Sequence, residues 1–353
     1  MTDRLDDARS TSSDGQMSRS RRAWSARTRA PAFLAGVILL TISAFAAPAG
    51  GSSSNVPVAS TWVEPLNGYG FVADAINAAR TSVDLSIYEL VDPTIVGDLI
   101  ARASAGVDVR VLLDSADGGA DVNATTVASL RAGGVNVEWA PSAQTFHAKY
   151  LVIDATTAYV GSANLVATDY PSTRDYWVKL TSPGDVHAVA TTFDGDFNAT
   201  TGVAVASPGL VWSPGATGPI VRLITSARHS LLVENEEMSS APIELALEHA
   251  AARGVNVKVV MTASATWATA LAALVRHGVH VRTLRSTQLY IHAKAICVDC
   301  TSAGGTVFVG SENFSRSSLS DNRELGVITR SRGSVRAVLN AAMSDYRLGS
   351  TVH

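Results

Sequence analysis

The chain has 353 residues, of which 46% are hydrophobic and 17% charged, and carries a net charge of −3. That is a globular balance with enough apolar material for a sizeable core, and the length suggests two domains. Two cysteines exclude a disulfide framework, and a net-negative chain lacks the broad basic footprint of a protein that tracks a nucleic acid backbone.

Residues 1–50 read as an export segment. Arg19, Arg21, Arg22, Arg27 and Arg29 precede an apolar run from Phe33 to Ala47, and small residues follow. Ala44-Phe45-Ala46 and Ala47-Pro48-Ala49 are candidate cleavage sites, and Arg21-Arg22 raises the twin-arginine route, although Ala23-Trp24-Ser25 fits that pattern poorly. The alternative is an uncleaved anchor, for which the run is short of the roughly 18–20 apolar residues a span needs. Cleavage after Ala46 removes seven Arg and four Asp, leaving 21 basic and 27 acidic residues and a net charge of −6.

Beyond that segment the elements alternate. Ser82 to Tyr88 reads as a strand and Pro93 to Ala103 as a helix that Gly106 closes. Val107 to Leu113 is a buried strand, and Asn123 is an N-cap candidate for a helix running to Ala132 and stopped by Gly133-Gly134. Strands Val135 to Trp139, Lys149 to Ile153 and Ala158 to Val160 follow. This order predicts an α/β fold with mixed, mostly parallel sheets covered by helices.

The chain then repeats itself. Ala79 to Leu85 is matched by Ala227 to Val233, Ala105 to Leu113 by Arg253 to Met261, and Arg131 to Val137 by Arg276 to Val281. Phe146-His147-Ala148-Lys149 is matched by Ile291-His292-Ala293-Lys294, and Gly161-Ser162-Ala163-Asn164 by Gly310-Ser311-Glu312-Asn313, always in the same order. Two similar domains are therefore expected, at 56–205 and 219–353. The Pro- and Gly-rich stretch 206–218 reads as the linker between them.

The chemistry sits in one motif used twice: His147-x-Lys149-x4-Asp154-x6-Gly161-Ser162-x-Asn164, and His292-x-Lys294-x4-Asp299 with ten residues before Gly310-Ser311-x-Asn313. The longer second spacing, around Cys300 to Gly305, reads as an extended hairpin turn. On a strand, residues i and i+2 share a face, so each His projects with its Lys. The glycine is expected to permit a tight turn presenting a hydroxyl and an amide. Two copies brought together give two imidazoles around a pocket of two Lys and two Asn, which suits a tetrahedral anion. One imidazole can attack phosphorus while the other protonates the leaving oxygen. His187, His229, His249, His277 and His280 lack such context and read as structural or exposed. No metal site is expected, because no cluster shows ligand spacing. The Cys297-x-x-Cys300 pair has neither two further soft ligands nor a thioredoxin-like setting, and reads as a local disulfide.

The two copies resemble the His-x-Lys-x4-Asp signature of the phospholipase D superfamily, from about residue 60 to the C-terminus. The resemblance implies two α/β/α sandwich domains packed face to face, one active site at their interface that needs neither metal nor cofactor, and a two-step reaction through a phosphohistidine. It makes His147 the nucleophile and His292 the general acid, with Lys149, Lys294, Asn164 and Asn313 holding phosphate and Ser162 and Ser311 in support. It also places an acid downstream of each motif to orient the other copy's His: Glu324 for His147, and the shorter Asp175 for His292. The alternative for each is a surface acid. Asp154 and Asp299 are expected to buttress the turn, with Gly161 and Gly310 structural.

The expected partner is a phospholipid or another phosphodiester, met through transient contact with a membrane surface by a monomer. Nucleic acid ranks below lipid, because export and an acidic body favour lipid. Against lipid, no strong amphipathic docking helix is evident. Phosphatidyl transfer of the cardiolipin-synthase kind is a further alternative, and so is a secreted binding relic, which would have no need of both imidazoles.

Overall fold

A computed structural model describes residues 56–200 and 202–353; the predicted export segment lies outside them. The first repeat runs β1 (Val58–Glu64), α1 (Gly70–Ala78), β2 (Ser82–Ile87), α2 (Pro93–Ser104), β3 (Asp108–Leu113), α3 (Gly119–Ala132) and β4 (Asn136–Trp139). It continues with β5 (Tyr150–Ile153), β6 (Thr157–Gly161), β7 (Thr173–Leu180) and α4 (Pro183–Phe197). The second repeats this order with β8 (Leu210–Ser213), α5 (Thr217–Thr225), β9 (Ser230–Glu234), α6 (Ala241–Ala252), β10 (Asn256–Thr262), α7 (Ala268–Arg276) and β11 (His280–Leu284). Then come β12 (Tyr290–Ile291), β13 (Lys294–Val298), β14 (Thr306–Gly310), a π-helical turn (Ser317–Asp321), β15 (Glu324–Thr329), α8 (Arg332–Leu348) and β16 (Ser350–Thr351).

Local chemistry sets several of these boundaries. Asp92 caps α2 by accepting from the Thr94 and Ile95 amides at 2.8 and 3.4 Å, with Pro93 in the first turn where its missing N–H costs nothing. Gly106, at φ +87°, ends the same helix in the left-handed conformation that only glycine takes freely. The helix predicted to start at Asn123 begins earlier, at Gly119. Asn123 lies inside it, fully buried, because its amide is needed elsewhere: it donates to the Tyr88 and Gly119 carbonyls and accepts from the Leu90 amide, tying down the loop after β2.

The strands form two sheets of the same order, β1-β7-β6-β5-β2-β3-β4 and β8-β15-β14-β13-β9-β10-β11-β16. Both are mixed, as expected, but the parallel pairs are limited to β2-β3-β4, β9-β10-β11 and the short β12 against β7. The expected parallel majority fails because β5, β6 and β13, β14 follow one another through short turns, which can join only antiparallel neighbours. The stretch 206–218 is likewise more than a linker: β8 within it pairs with β15 as β1 pairs with β7, so it carries the first strand of the second repeat.

Helices α1 to α3 cover one face of the first sheet around Ile76, Leu99 and Trp177, and α5 to α7 cover one face of the second around Ile220, Leu247 and Phe308. A third apolar cluster lies between the sheets and draws on both repeats, with Tyr150, Val178, Phe193, Val309 and Val338. Each large side chain so buried stabilises the fold by about 1.5–3 kcal/mol, so the repeats are joined by a true core. The Cys297–Cys300 disulfide closes the end of β13, next to the long turn into β14.

Candidate active site

Backbone exchange between the repeats builds the site. Phe146, just ahead of His147, pairs with Arg323, just ahead of Glu324, and the Arg323 carbonyl accepts from the His147 and Ala148 amides at 2.9 Å each. In the second copy Tyr290 and Ile291 pair with Thr173 and Arg174, just ahead of Asp175. The His-x-Lys segments therefore lie on lead-in chain and not within strands as predicted: β5 begins at Tyr150, and β13 begins at Lys294 itself. Pairing with the opposite repeat claims the backbone there.

The two arginines behind this exchange are themselves locked across the interface. Arg174 holds Asp345 of α8 at 2.5 and 3.0 Å, and Arg323 holds Asp196 of α4 at 3.0 Å, all four being buried. Neighbouring residues on a strand point to opposite faces. With each arginine fixed in the interface, the next residue is turned toward the other repeat's histidine.

Glu324 Oε2 lies 2.9 Å from His147 Nδ1, and Asp175 Oδ1 lies 2.8 Å from His292 Nδ1. Both histidines line one cavity of about 420 Å³, together with Asn164 and Asn313. Burial would raise the Glu324 carboxyl, but His147 and Lys149 outweigh it and hold it below its ordinary range. An ionised carboxylate only accepts, so His147 donates from Nδ1 and presents a free lone pair on Nε2. Burial first, with Lys149 adding and Glu324 opposing, pulls His147 down to about 4. This imidazole rests neutral.

Lys149 and Lys294 are both fully buried, and their ammonium groups donate to the carbonyls of His147 and His292 at 2.6 and 2.5 Å. Burial, aided by Lys294 and opposed by Glu324, pulls Lys149 down to about 7.

Ser162 and Ser311 depart from expectation. Both are fully buried and neither lines the cavity. Ser162 donates to Asp175 at 2.6 Å and accepts from the Tyr176 amide, while Ser311 accepts from the Leu325 amide at 3.1 Å. They brace the acids that orient the histidines. Gly161 and Gly310 do not have positive φ either. Close approach requires them: a Cβ on Gly161 would sit 2.3 Å from the Trp177 ring, and one on Gly310 would sit 2.5 Å from the Gly326 backbone. Asp154 and Asp299 lie away from the cavity, accepting from the amides of 80–82 and of 228–230 at the starts of β2 and β9. His187, His229, His249, His277 and His280 are exposed.

Sequence reasoning missed a second tier of residues. Glu236 Oε2 accepts from Lys294 Nζ at 2.9 Å and faces His292 Nε2 at 3.7 Å. Burial would raise this carboxyl, but Lys294 and His292 hold it well below the usual range. Tyr88 occupies the matching place in the first repeat, with its ring 5.3 Å from Lys149 Nζ and 5.1 Å from the His147 ring. Glu89 and Glu237 accept from Asn164 and Asn313 at 3.3 Å each, and Ser318 donates to Glu324 at 2.6 Å. Carrying the repeat match of Leu85 with Val233 four residues further would have paired Tyr88 with Glu236 and Glu89 with Glu237. The cavity is lined by Glu89, Asp117, Asp169, Glu236 and Glu237, with neither Lys nor Arg on its wall. Among the described residues, no group of three or more His, Cys, Asp or Glu could hold a metal ion, and no helix is long and apolar enough to cross a membrane.

The family model described as "Cardiolipin synthase, PLD-like domain" matches residues 72–198 and 220–345. Among curated proteins none matches. The fold is similar to that of a polyphosphate kinase from Porphyromonas gingivalis, with a TM-score of 0.66 and 15% identity over 81% of this chain and 47% of that one. This chain thus spans less than half of the kinase. A phosphatidylserine synthase from Haemophilus influenzae matches with a TM-score of 0.64 and 13% identity over 85% of this chain and 90% of that one. At these identities the likeness is one of fold. Nuc, a phospholipase D family member from Salmonella typhimurium, is 25% identical over 41% of this chain and 96% of its own, with a TM-score of 0.37.

Proposed function

Since the chain belongs to the family of cardiolipin synthase, PLD-like domains, we propose that it is an exported phosphodiesterase of the phospholipase D type. One observation carries this reading: two imidazoles, each backed by a carboxylate from the opposite repeat, line one cavity. His147 Nε2 attacks phosphorus, the bond to the leaving alcohol breaks, and His292 gives that oxygen its proton. His292 then takes a proton from water, the resulting hydroxide attacks phosphorus, and the phosphorus–nitrogen bond breaks to release His147. Asn164 and Asn313 at the wall, with Lys149 and Lys294 behind them, hold the non-bridging oxygens as charge moves onto them.

The acidic wall supports lipid over nucleic acid, since five carboxylates lining the cavity would repel a polyanion. Phosphatidyl transfer is the second reading, favoured by the description of the family model; the chemistry is the same with an alcohol in place of water. Export rests on the arginine-flanked apolar run before Ala47.

The test offers purified protein phosphatidylcholine, a bis-aryl phosphodiester and plasmid DNA, with EDTA throughout. Lipid cleavage that survives the chelator is the expected result, and added glycerol or phosphatidylglycerol reveals transfer by its product. Loss of activity in EDTA would contradict the two-histidine mechanism. DNA degradation without lipid turnover would replace the lipid reading by a nuclease.

A further inference from the structure

The second half-site already holds an anion of its own. Two donors converge on a single oxygen of Glu236, Lys294 Nζ at 2.9 Å and Asn313 Nδ2 at 3.4 Å, and His292 Nε2 lies 3.7 Å from it. The other oxygen, Oε1, accepts from the Tyr290 hydroxyl at 2.6 Å, which fixes the carboxylate in this place. The first half-site has no counterpart, because Tyr88 stands there and offers a ring face to Lys149. The repeat therefore places a carboxylate beside one lysine and an aromatic ring beside the other.

Charge decides what such a pocket can take. A phosphodiester carries one negative charge, whereas a phosphomonoester or free phosphate carries about 1.5 to 2 near neutral pH. A carboxylate within about 4 Å of the phosphoryl position repels a dianion about twice as strongly as a monoanion. We propose that Glu236 is a specificity-determining residue, a resident anion that lets the site accept phosphodiesters and refuse phosphomonoesters and inorganic phosphate. The proposal rests on the reading that this cavity seats a phosphoryl group. It adds that the site discriminates by charge and is not held by free phosphate.

Equilibrium binding tests it without any turnover. The full chain, as wild type and as Glu236→Gln, is titrated calorimetrically at pH 7.5 with inorganic phosphate and separately with dimethyl phosphate, folding being checked by thermal melting. Glu236→Gln is expected to bind inorganic phosphate at least about tenfold more tightly than wild type, with a clearly smaller gain for dimethyl phosphate. Equal phosphate affinity in the two proteins, or equal gains for the two anions, overturns the proposal. If Glu236→Gln does not fold, Glu236→Ser, which also removes the carboxylate, takes its place: tighter phosphate binding supports the proposal and unchanged binding overturns it. Failure to cleave lipid would sink the lipid reading and leave this result standing, while lipid cleavage with unchanged phosphate affinity would sink this inference alone.

Discussion

At the end of β2 the first repeat turns Tyr88 toward Lys149 and His147; at the same place after β9 the second turns Glu236 toward Lys294 and His292. Everything else around the two imidazoles is closely matched: a buried lysine bonded to the histidine's own carbonyl, an acid from the opposite repeat on Nδ1, and an asparagine paired to a glutamate. One exchange of an aromatic ring for a carboxylate leaves His147 with a carboxylate at Nδ1 alone and puts His292 between two carboxylates. A duplicated scaffold thus obtains two different imidazoles from one template. On the proposed mechanism His147 attacks, and His292, with a carboxylate facing each ring nitrogen, delivers the proton.

The largest effect is expected at the attacking ring. His147→Ala should lower turnover of a short-chain phospholipid by about 10⁴-fold or more, since no other group can form the covalent bond; a near-normal rate would end the assignment. His292→Ala should cost about 10²–10⁴-fold with an alkyl leaving group and much less with a nitrophenyl one, which needs no acid. With the activated substrate, intact-mass measurement should show a phosphorylated protein that persists. If His147→Ala accumulates that species instead, the two roles are reversed.

Glu324→Gln should cost about a hundredfold or more in turnover, because the amide can donate to Nδ1 and turn the lone pair of His147 away from the cavity. The pH profile of kcat/KM sharpens the comparison further. His147 attacks only when unprotonated, so the rate should rise with pH through about 4, where burial has placed this group. Lys149 binds phosphate only when charged, so the rate should fall as pH rises through about 7. A profile still climbing at pH 9 would remove Lys149 from this role. The smallest effect is at the brace: Ser162→Ala removes one neutral hydroxyl from Asp175 and should lower kcat about threefold to tenfold with KM unchanged. A rise in KM alone would put the hydroxyl back on the substrate.

Much of this was legible from the chain. The duplication located both histidines, both lysines and both asparagines, and the phospholipase D resemblance supplied Glu324 and Asp175, because spacing along the sequence survives folding. What was not legible depended on the third dimension. Nothing in Gly-Ser-x-Asn says that the serine turns inward behind the strand, or that glycine is there for the Trp177 ring and the Gly326 backbone. Asn123 reads as a cap by composition, yet its amide is spent on a loop more than thirty residues earlier in the chain. Glu236 escaped because it breaks the repeat, and a search for likeness passes over the place where two copies differ.

The crossed pairing of Phe146 with Arg323 and of Ile291 with Arg174 carries a consequence for how activity can arise. A half expressed alone would keep its imidazole and lose the carboxylate that aims it, so each fragment would be inert while holding half of the chemistry. Mixing separately purified halves would restore turnover only to the extent that the seam re-forms, and the rate would then report docking as directly as any binding measurement.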